Sequence, residues 1–269
     1  MRLLELFSGT HSIGKVAKEI GIEVISVDRD LDGDCPFKSG YKSDFHIKDD
    51  IMTWDYKIYE PGDFDIITAS PVCLFWSALR RTWIGRKCKS IHPTEVITKE
   101  HIQSEIDLHG KPMVDKVFEI IEYFQPKFWW IENPQTGTMK NYITEKYPEY
   151  DTYYDVSYCK YSNYGYEKKT RFWTNIKDFE PLRCNKDCEN IVTINKQKLH
   201  KIHMGTSKTV EDNGKIIRVN SKALREKYKD YKNLQTGKNH KVGNGKTSRF
   251  ERYRIPEKLI EELLERCVG

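Results

Sequence analysis

The sequence predicts an α/β fold, in which a parallel sheet is covered by helices on both faces and is followed by a small basic C-terminal region. In the first two-thirds of the 269-residue chain, short apolar runs alternate with helix-like segments, as is typical of a parallel sheet. Polar clusters follow the apolar runs, where ligands bind in such sheets. The alternation ends near Arg183, where Lys, Asn and Gly become frequent.

Apolar periodicity predicts the individual elements. Short apolar runs bounded by turn residues predict strands, and apolar residues that recur every three to four positions predict helices. The predicted strands are residues 2–7, 23–27, 65–69 and 128–131. The predicted helices are residues 12–20, 114–124 and 256–267.

The charge of the chain is divided between two parts. The formal net charge is +5. Residues 183–269 carry 21 basic and 11 acidic residues, whereas residues 1–182 carry 24 basic and 29 acidic residues. A basic region of this kind indicates a polyanion partner, although a solvated charged surface gives the same pattern.

Composition excludes some classes of protein. No apolar stretch approaches the roughly 18 residues of a membrane-spanning helix, and the N-terminus has no signal-peptide pattern. Seven cysteines without a secretion signal favour reduced thiols. We expect a monomer that does not associate with membranes. We expect it to be located in the cytoplasm, or inside a host cell if the chain is viral. A composition rich in Lys, Ile, Asn and Tyr weakly indicates an AT-rich source such as a phage, a virus or a low-GC bacterium.

The first predicted strand ends in a glycine turn, Phe7-Ser8-Gly9-Thr10. Asp28 follows the second strand about twenty residues later, the spacing of an acidic residue that binds the ribose of an adenosine-containing cofactor. The full three-glycine dinucleotide pattern is absent. A nucleoside cofactor is the prediction, and an ordinary strand–turn–helix is the alternative.

Cys73 follows the strand at 65–69, within the cluster at residues 70–77. A cysteine in a cleft near a helix terminus can have a lowered thiol pKa and act as a nucleophile. The alternative is a buried structural cysteine beside aromatic residues. Glu132 favours the nucleophile, because it ends the neighbouring predicted strand beside Trp129 and Trp130, where an apolar setting suits a general acid.

These motifs together resemble those of the DNA (cytosine-5)-methyltransferase family over residues 1 to about 176. Residues 71–73 resemble its Pro-Pro-Cys loop, and residues 132–134 resemble its Glu-Asn-Val motif. Residues 169–171 resemble the end of its late Arg-x-Arg motif, and residues 5–9 with Gly14 resemble its cofactor turn.

The resemblance implies a Rossmann-like class I methyltransferase sheet that uses S-adenosylmethionine, with double-stranded DNA as the partner. It implies a catalytic domain at 1–182, a short target-recognition region at 183–249, and a C-terminal helix at 250–269 that packs back on the catalytic domain. The residues implied to bind the cofactor are Phe7, Ser8, Gly9, Thr10, Asp28, Asp50, Ile51, Ser70 and Pro71.

The resemblance also implies the catalytic residues. Cys73 would add to C6 of a flipped-out cytosine, Glu132 would bind and protonate the ring at N3, and Arg171 would hold the O2 side. The segment 78–110 would be a mobile loop that closes over DNA. The residues implied to bind the substrate are Ser77, Arg80, Arg81, Asn133 and Lys169.

Several positions depart from the family pattern and leave alternatives open. Val72 replaces the second Pro, Pro134 replaces the Val, and Glu167 and Lys169 replace a Gln and an Arg. Gly243-Asn244 is a poor match to the closing motif. The alternatives are methylation of cytosine in tRNA, a catalytically silent nucleic-acid binder, and a small-molecule methyltransferase, which does not explain the basic region.

Four potential metal ligands lie within twenty residues of the basic region: Cys184, Cys188, His200 and His203. Nitrogen and sulfur donors at such positions can hold a tetrahedral structural zinc ion, from which a small segment with a poor core would gain stability. Reduced cysteines and histidines that face phosphates are the alternative.

Overall fold

A seven-stranded, mostly parallel sheet forms the centre of the protein in a computed structural model, which describes residues 1–29, 46–88, 92–194, 196–201, 209–219, 222–231 and 253–269. The strands are β1 (Arg2–Leu6), β2 (Glu23–Asp28), β3 (His46–Lys48), β4 (Ile66–Ala69), β5 (Lys87–Cys88), β6 (His92–Val96), β7 (Phe128–Pro134), β8 (Tyr153–Ser157), β9 (Lys169–Thr174), β10 (Ile191–Ile194), β11 (Gln197–His200), β12 (Thr209–Asp212) and β13 (Lys215–Arg218). The helices are α1 (Ser12–Glu19), α2 (Lys99–Glu105), α3 (Lys111–Phe124), α4 (Met139–Lys146), α5 (Lys222–Lys227) and α6 (Glu257–Val268).

The sheet has the strand order β3-β2-β1-β4-β7-β9-β8. The pairs among β3, β2, β1, β4 and β7 are parallel, whereas β9 is antiparallel to both of its neighbours, β7 and β8. The predicted α/β fold is therefore confirmed, with one reversed strand. The strand order reverses between β1 and β4, and a ligand crevice forms at such a point beyond the carboxyl ends of the strands.

Two hydrophobic cores cover the two faces of the sheet. Successive residues of β1 point to opposite faces: Leu4 packs on one face with Val114 and Phe118 of α3, and Leu3 packs on the other with Ile13 of α1. The second core also takes the apolar side of α6, so the C-terminal helix packs against α1 and the sheet.

Strand β7 is longer than the apolar run predicts. The prediction ends at residue 131, but the strand continues to Pro134, because Glu132, Asn133 and Pro134 pair with Phe172, Arg171 and Thr170 of β9. Glu132 and Asn133 therefore lie within the sheet rather than in a turn after it. Strand pairing fixes their orientation more firmly than a loop would.

Within the segment 78–110, where the sequence predicts a long mobile loop, the described residues 78–88 and 92–110 form short helices and strands. The segment begins with a short 3-10 helix at Ala78–Trp83, continues through the hairpin of β5 and β6, and ends in α2 and a π-helical turn at Ile106–Gly110 that leads into α3. The sequence did not predict these elements, because most of the residues of the segment whose burial is described are exposed, and its apolar periodicity is therefore weak.

In the basic region, the residues that the structure describes form small elements. Two antiparallel hairpins, β10–β11 and β12–β13, are followed by α5. Val210, Val219 and Tyr228 form a separate small cluster. Among the described residues, no helix is both long and apolar enough to cross a bilayer.

Candidate active site

The turn after β1 carries several of the residues expected to bind the cofactor. Phe7 and Gly9 have positive φ angles of 55° and 48°, which turn the chain sharply out of the strand. The Gly9 amide donates to Oδ2 of Asp28 at 2.8 Å, so the turn is joined to the end of β2. The Ser8 hydroxyl is buried and has no hydrogen-bond partner among the described residues. The Thr10 hydroxyl lies 2.7 Å from that of Ser12.

Helix α1 lies unusually close to the sheet at this turn. A Cβ atom at Gly14 would lie 2.7 Å from Oε2 of Glu5 and 3.1 Å from Cγ1 of Val24. Glu5 is buried and its Oε2 accepts a hydrogen bond from the Ser26 hydroxyl at 2.8 Å. Gly14 therefore permits the close contact that directs the start of α1 toward the crevice.

Asp50 and Ile51 follow β3 at the same edge of the sheet. Oδ1 of Asp50 accepts a hydrogen bond from the Met52 amide at 3.0 Å, which orients the carboxylate. Ile51 is buried in the core with Leu6 and Val27. The two residues expected to contact the adenine ring thus lie at the strand ends, but most of the Ile51 side chain packs inward.

Cys73 lies in a tight turn after β4. The amides of Trp76 and Ser77 donate to the Cys73 carbonyl oxygen at 3.2 and 2.9 Å. The Asn133 side-chain amide donates to the carbonyl oxygen of buried Pro71 at 2.9 Å, so β7 holds the loop. Ser70 joins the loop to β1, because its amide donates to the Leu6 carbonyl oxygen at 3.3 Å.

Glu132 lies beside two residues that the sequence did not single out. Its Oε1 accepts a hydrogen bond from the buried Tyr158 hydroxyl at 3.1 Å and lies 3.4 Å from Nζ of Lys168. The Lys168 ammonium also stacks over the Tyr158 ring at 4.7 Å. The only sequence signal for Lys168 is its position just before the late basic motif, and Tyr158 has none beyond following β8.

Burial and the charges of Glu132 and Lys168 change the pKa of the Cys73 thiol. Burial raises its pKa above the usual value of 9.0, the negative charge of Glu132 raises it further, and the nearby Lys168 ammonium lowers it. The net direction is upward, opposite to the lowered thiol pKa that the sequence suggested. The physical reason is that Cys73 is desolvated beside a carboxylate, and the lysine offsets this effect only in part.

The structure does not bring Arg171 to Glu132. Paired residues of antiparallel strands face the same side of the sheet, and Arg171 pairs with Asn133 and Asp155, whereas Glu132 pairs with Phe172. Arg171 donates from Nε and a terminal nitrogen to the two carboxylate oxygens of Asp155 at 2.7 and 3.0 Å. Lys168 is the cation that contacts Glu132 instead.

The other residues expected to bind the substrate have different environments. Arg80 is buried, pairs with Glu105 and stacks over Trp83, so these contacts join the start of the 78–110 segment to α2. Arg81 is exposed. The Ser77 hydroxyl accepts from the Leu79 amide at 3.2 Å and caps the short helix. Exposed Lys169 lies 3.7 Å from Glu167.

Three of the four expected metal ligands are brought together, and a further cysteine joins them. The donor atoms of Cys184, Cys188 and His200 lie within 4.8 Å of one another and of a fourth donor, the thiol of Cys159. His203 lies outside the described residues. Cys159 was missed because it follows β8, 25 positions before Cys184, and only the folding of the chain brings it to the group.

The fold defines a class of structure, a Rossmann-like sheet of the kind that a solved methyltransferase also has. A solved structure, the Entamoeba histolytica methyltransferase EhMeth, superposes with a TM-score of 0.52 at 13% identity, covering 99% of this chain and 97% of that one. At this identity the likeness concerns the fold alone. No family model matches the chain.

A relative at higher identity specifies the family. "Probable DNA (cytosine-5)-methyltransferase" of Frog virus 3 (isolate Goorha) is 34% identical over 271 residues, covering 99% of this chain and all of the relative. The chain therefore belongs to the DNA (cytosine-5)-methyltransferase family, which confirms the family predicted from the motifs around Cys73 and Glu132.

Proposed function

We propose that the protein transfers a methyl group from S-adenosylmethionine to C5 of a flipped-out cytosine in DNA, through a covalent bond between Cys73 and C6. One observation carries the proposal: half-buried Cys73 follows β4, and the buried carboxyl group of Glu132 lies near the carboxyl end of the neighbouring strand β7, with its Oε1 3.4 Å from Nζ of Lys168. DNA as the substrate is supported by the name of the viral relative.

The residues beyond β1 and β2 fit S-adenosylmethionine. The buried Ser8 hydroxyl has no partner among the described residues, and Asp28 ends β2 where a carboxylate can bind ribose hydroxyls. The cofactor supplies an electrophilic methyl group on a sulfonium. Ser8, Gly9 and Thr10 would hold its polar end, and Asp50 with Ile51 would contact its adenine.

Cys73 acts as the nucleophile. Its thiolate forms a bond to C6 of the cytosine, and the electrons of the C5–C6 double bond move toward N3. Glu132 donates a hydrogen bond or a proton at N3, so negative charge does not accumulate on the ring. Carbon 5 then forms a bond to the methyl group as the bond from that methyl group to the sulfonium breaks and leaves a neutral thioether. A base removes the C5 proton, the C5–C6 double bond re-forms as the C6–S bond to Cys73 breaks, and the proton at N3 returns to Glu132.

Lys168 and Tyr158 position Glu132 in this scheme. Their contacts at 3.4 and 3.1 Å orient the carboxyl group, and the positive charge of Lys168 favours the thiolate form of Cys73. Arg171 is left with a supporting role, in which it holds β8 and β9 together through Asp155. The target base must leave the duplex, because C5 and C6 are otherwise out of reach.

A mechanism-based trap tests the proposal. Fluorine at C5 cannot leave as a proton does, so duplex DNA with 5-fluorocytosine should stay bonded to the protein when cofactor is present, as a shifted band in a denaturing gel. Cys73→Ser should give no adduct, and Cys267→Ser, which changes a buried cysteine in α6, should behave like the unaltered protein. No adduct in the presence of specific DNA binding would support the silent nucleic-acid binder instead.

The nature of the nucleic acid is tested separately. Methyl transfer from labelled cofactor is compared between unmethylated duplex DNA and unmodified tRNA. We expect label in the DNA. Label in tRNA alone would contradict DNA as the substrate while leaving the chemistry at Cys73 intact. Bisulfite sequencing of DNA from cells that express the protein would give the target sequence.

A further inference from the structure

We propose that Cys159, Cys184, Cys188 and His200 bind one structural zinc ion, which joins the start of the basic region to the edge of the catalytic sheet. Their four donor atoms lie within 4.8 Å of one another. The methyl-transfer chemistry proposed above uses none of these residues, so the inference does not depend on it.

The distances fit tetrahedral zinc. With Zn–S bonds of about 2.3 Å and Zn–N bonds of about 2.0 Å, sulfur and nitrogen ligands of one ion lie about 3.5 Å apart. Nε2 of His200 lies 3.5 Å from Sγ of Cys184 and 3.5 Å from Sγ of Cys188. Three thiolates and one imidazole complete a closed coordination sphere, which is typical of structural rather than catalytic zinc.

The surroundings of the cluster hold its ligands in place. The Cys184 amide donates to the Ser157 hydroxyl at 3.1 Å, and buried Asn190 donates to the Cys159 carbonyl oxygen at 3.1 Å. Lys160 pairs with Asp187 at 3.0 Å across the same junction. Outer contacts of this kind orient metal ligands before the ion binds.

The position of the cluster indicates what the ion would do. Its ligands come from the turn after β8, from the start of the basic region and from β11, and among the described residues no single apolar cluster includes all three segments. Cys159 directly follows Tyr158, whose hydroxyl donates to Glu132. A zinc ion would therefore fix both the β10–β11 hairpin and the support of Glu132.

Metal content of the purified full-length protein tests the proposal. Protein purified without chelators should contain about one zinc per chain by mass spectrometry, because the four donors form a single closed site. Cys188→Ser and His200→Ala should lose most of it, whereas Cys267→Ser and Cys73→Ser should retain it. Cobalt-loaded protein should show the intense absorption of tetrahedral cobalt thiolates, and the two cluster variants should not.

Measurements on the unaltered chain keep the test decisive if the variants fail to fold. A thiol-modifying mercurial should release one zinc per chain to a colorimetric indicator, and a strong chelator should lower the thermal midpoint. The proposal would be overturned if the protein contained no zinc or cobalt after supplementation and its thermal unfolding midpoint did not change with the chelator. So would equal zinc content in the cluster variants and the Cys267→Ser control, or a disulfide between cluster cysteines in the native protein.

Discussion

At the scale of single residues, Lys168 links the two groups that carry the proposed chemistry. Its ammonium lies 3.4 Å from Oε1 of Glu132 and lowers the pKa of the Cys73 thiol, which burial and the Glu132 charge raise. Glu132 and Lys168 thus act on the thiol in opposite directions. Because each charge can be removed by one substitution, the balance can be measured without DNA or cofactor.

Lys168→Met should raise the pKa of Cys73, and Glu132→Gln should lower it. Since alkylation requires the thiolate, the rate at neutral pH should fall about three- to tenfold in the first variant and rise by a similar factor in the second. The measurement is the iodoacetamide rate of Cys73 against pH, with Cys73→Ser subtracted. Lys177→Met, at an exposed position three residues after the end of β9, is the control. A shift in the same direction for both charge variants would contradict this account.

At the scale of elements, two contacts determine how the site is assembled: the approach of α1 to the sheet, and the ion pair between β8 and β9. Neither touches the reacting atoms. Both contacts are buried, so substitutions that disrupt them should lower the free energy of unfolding and not only change the chemistry at the site.

Gly14→Ala should destabilise the protein, although alanine is ordinarily preferred to glycine in a helix by about 1 kcal/mol. The added methyl group would lie 2.7 Å from Oε2 of Glu5, and overpacking of this kind costs about 1–3 kcal/mol. Urea unfolding gives the midpoint, and cofactor binding by calorimetry should weaken in parallel. An unchanged or higher midpoint would show that α1 can move away from β1 at no cost.

Asp155→Asn should lower the free energy of unfolding by about 3 kcal/mol, because it leaves the buried Arg171 guanidinium without its charged partner. Burial would raise the pKa of Asp155, but hydrogen bonds from Arg171 and Gln135 outweigh it and hold the pKa below 3.8. The contribution is therefore complete above about pH 4 and is lost as the pH falls through the folded-state pKa.

Denaturant unfolding at several pH values checks this sign. The difference between the unaltered protein and Asp155→Asn should be constant from about pH 5 to 7 and should narrow below pH 4. Asp178→Asn is the matched control, because Asp178 is exposed and its left-handed φ of 59° suits asparagine. If the difference in unfolding free energy between the two proteins increased as the pH fell, the lowered pKa of Asp155 would be contradicted.

At the scale of the whole molecule, the net charge of +5 is the sum of an acidic part at residues 1–182, which is the proposed catalytic part, and a basic part at residues 183–269. Residues 183–249 carry 17 basic and 6 acidic residues, and their described elements are small hairpins and one short helix. We propose that this surface holds the DNA backbone, where lysines and arginines contribute mainly through release of counterions.

Replacing Lys196 and Lys198 with Gln, both exposed on the β10–β11 hairpin, should reduce the salt dependence of DNA binding. If both contact phosphates, the slope of log affinity against log salt should become shallower by about 1.8. Fluorescence anisotropy with duplex DNA measures it. The control is Lys57→Gln with Lys177→Gln, two exposed lysines of the catalytic part. Equal changes in the two double variants would mean that the basic region has no special role.

The amino-acid sequence by itself determined the fold class, the family, and the two strand ends at which Cys73 and Glu132 lie. These features depend on local patterns: apolar runs that make strands, amphipathic helices, and short motifs in which Cys73 and Glu132 each follow or end an apolar run. Their prediction requires no knowledge of which distant segments meet, and the relative from a virus confirms the family.

Only the tertiary structure decided which side chains surround those motifs. The register of β9 against β7 and β8 turns Arg171 to Asp155 and leaves Lys168 beside Glu132. The pairing of Arg80 with Glu105 of α2 buries Arg80, and the turn after β8 brings Cys159 to the proposed metal ligands. The position of Arg171 depends on strand register, where a shift of one residue reverses the face of every side chain. The other two outcomes depend on contacts between segments far apart in the sequence, and local periodicity carries no information about either.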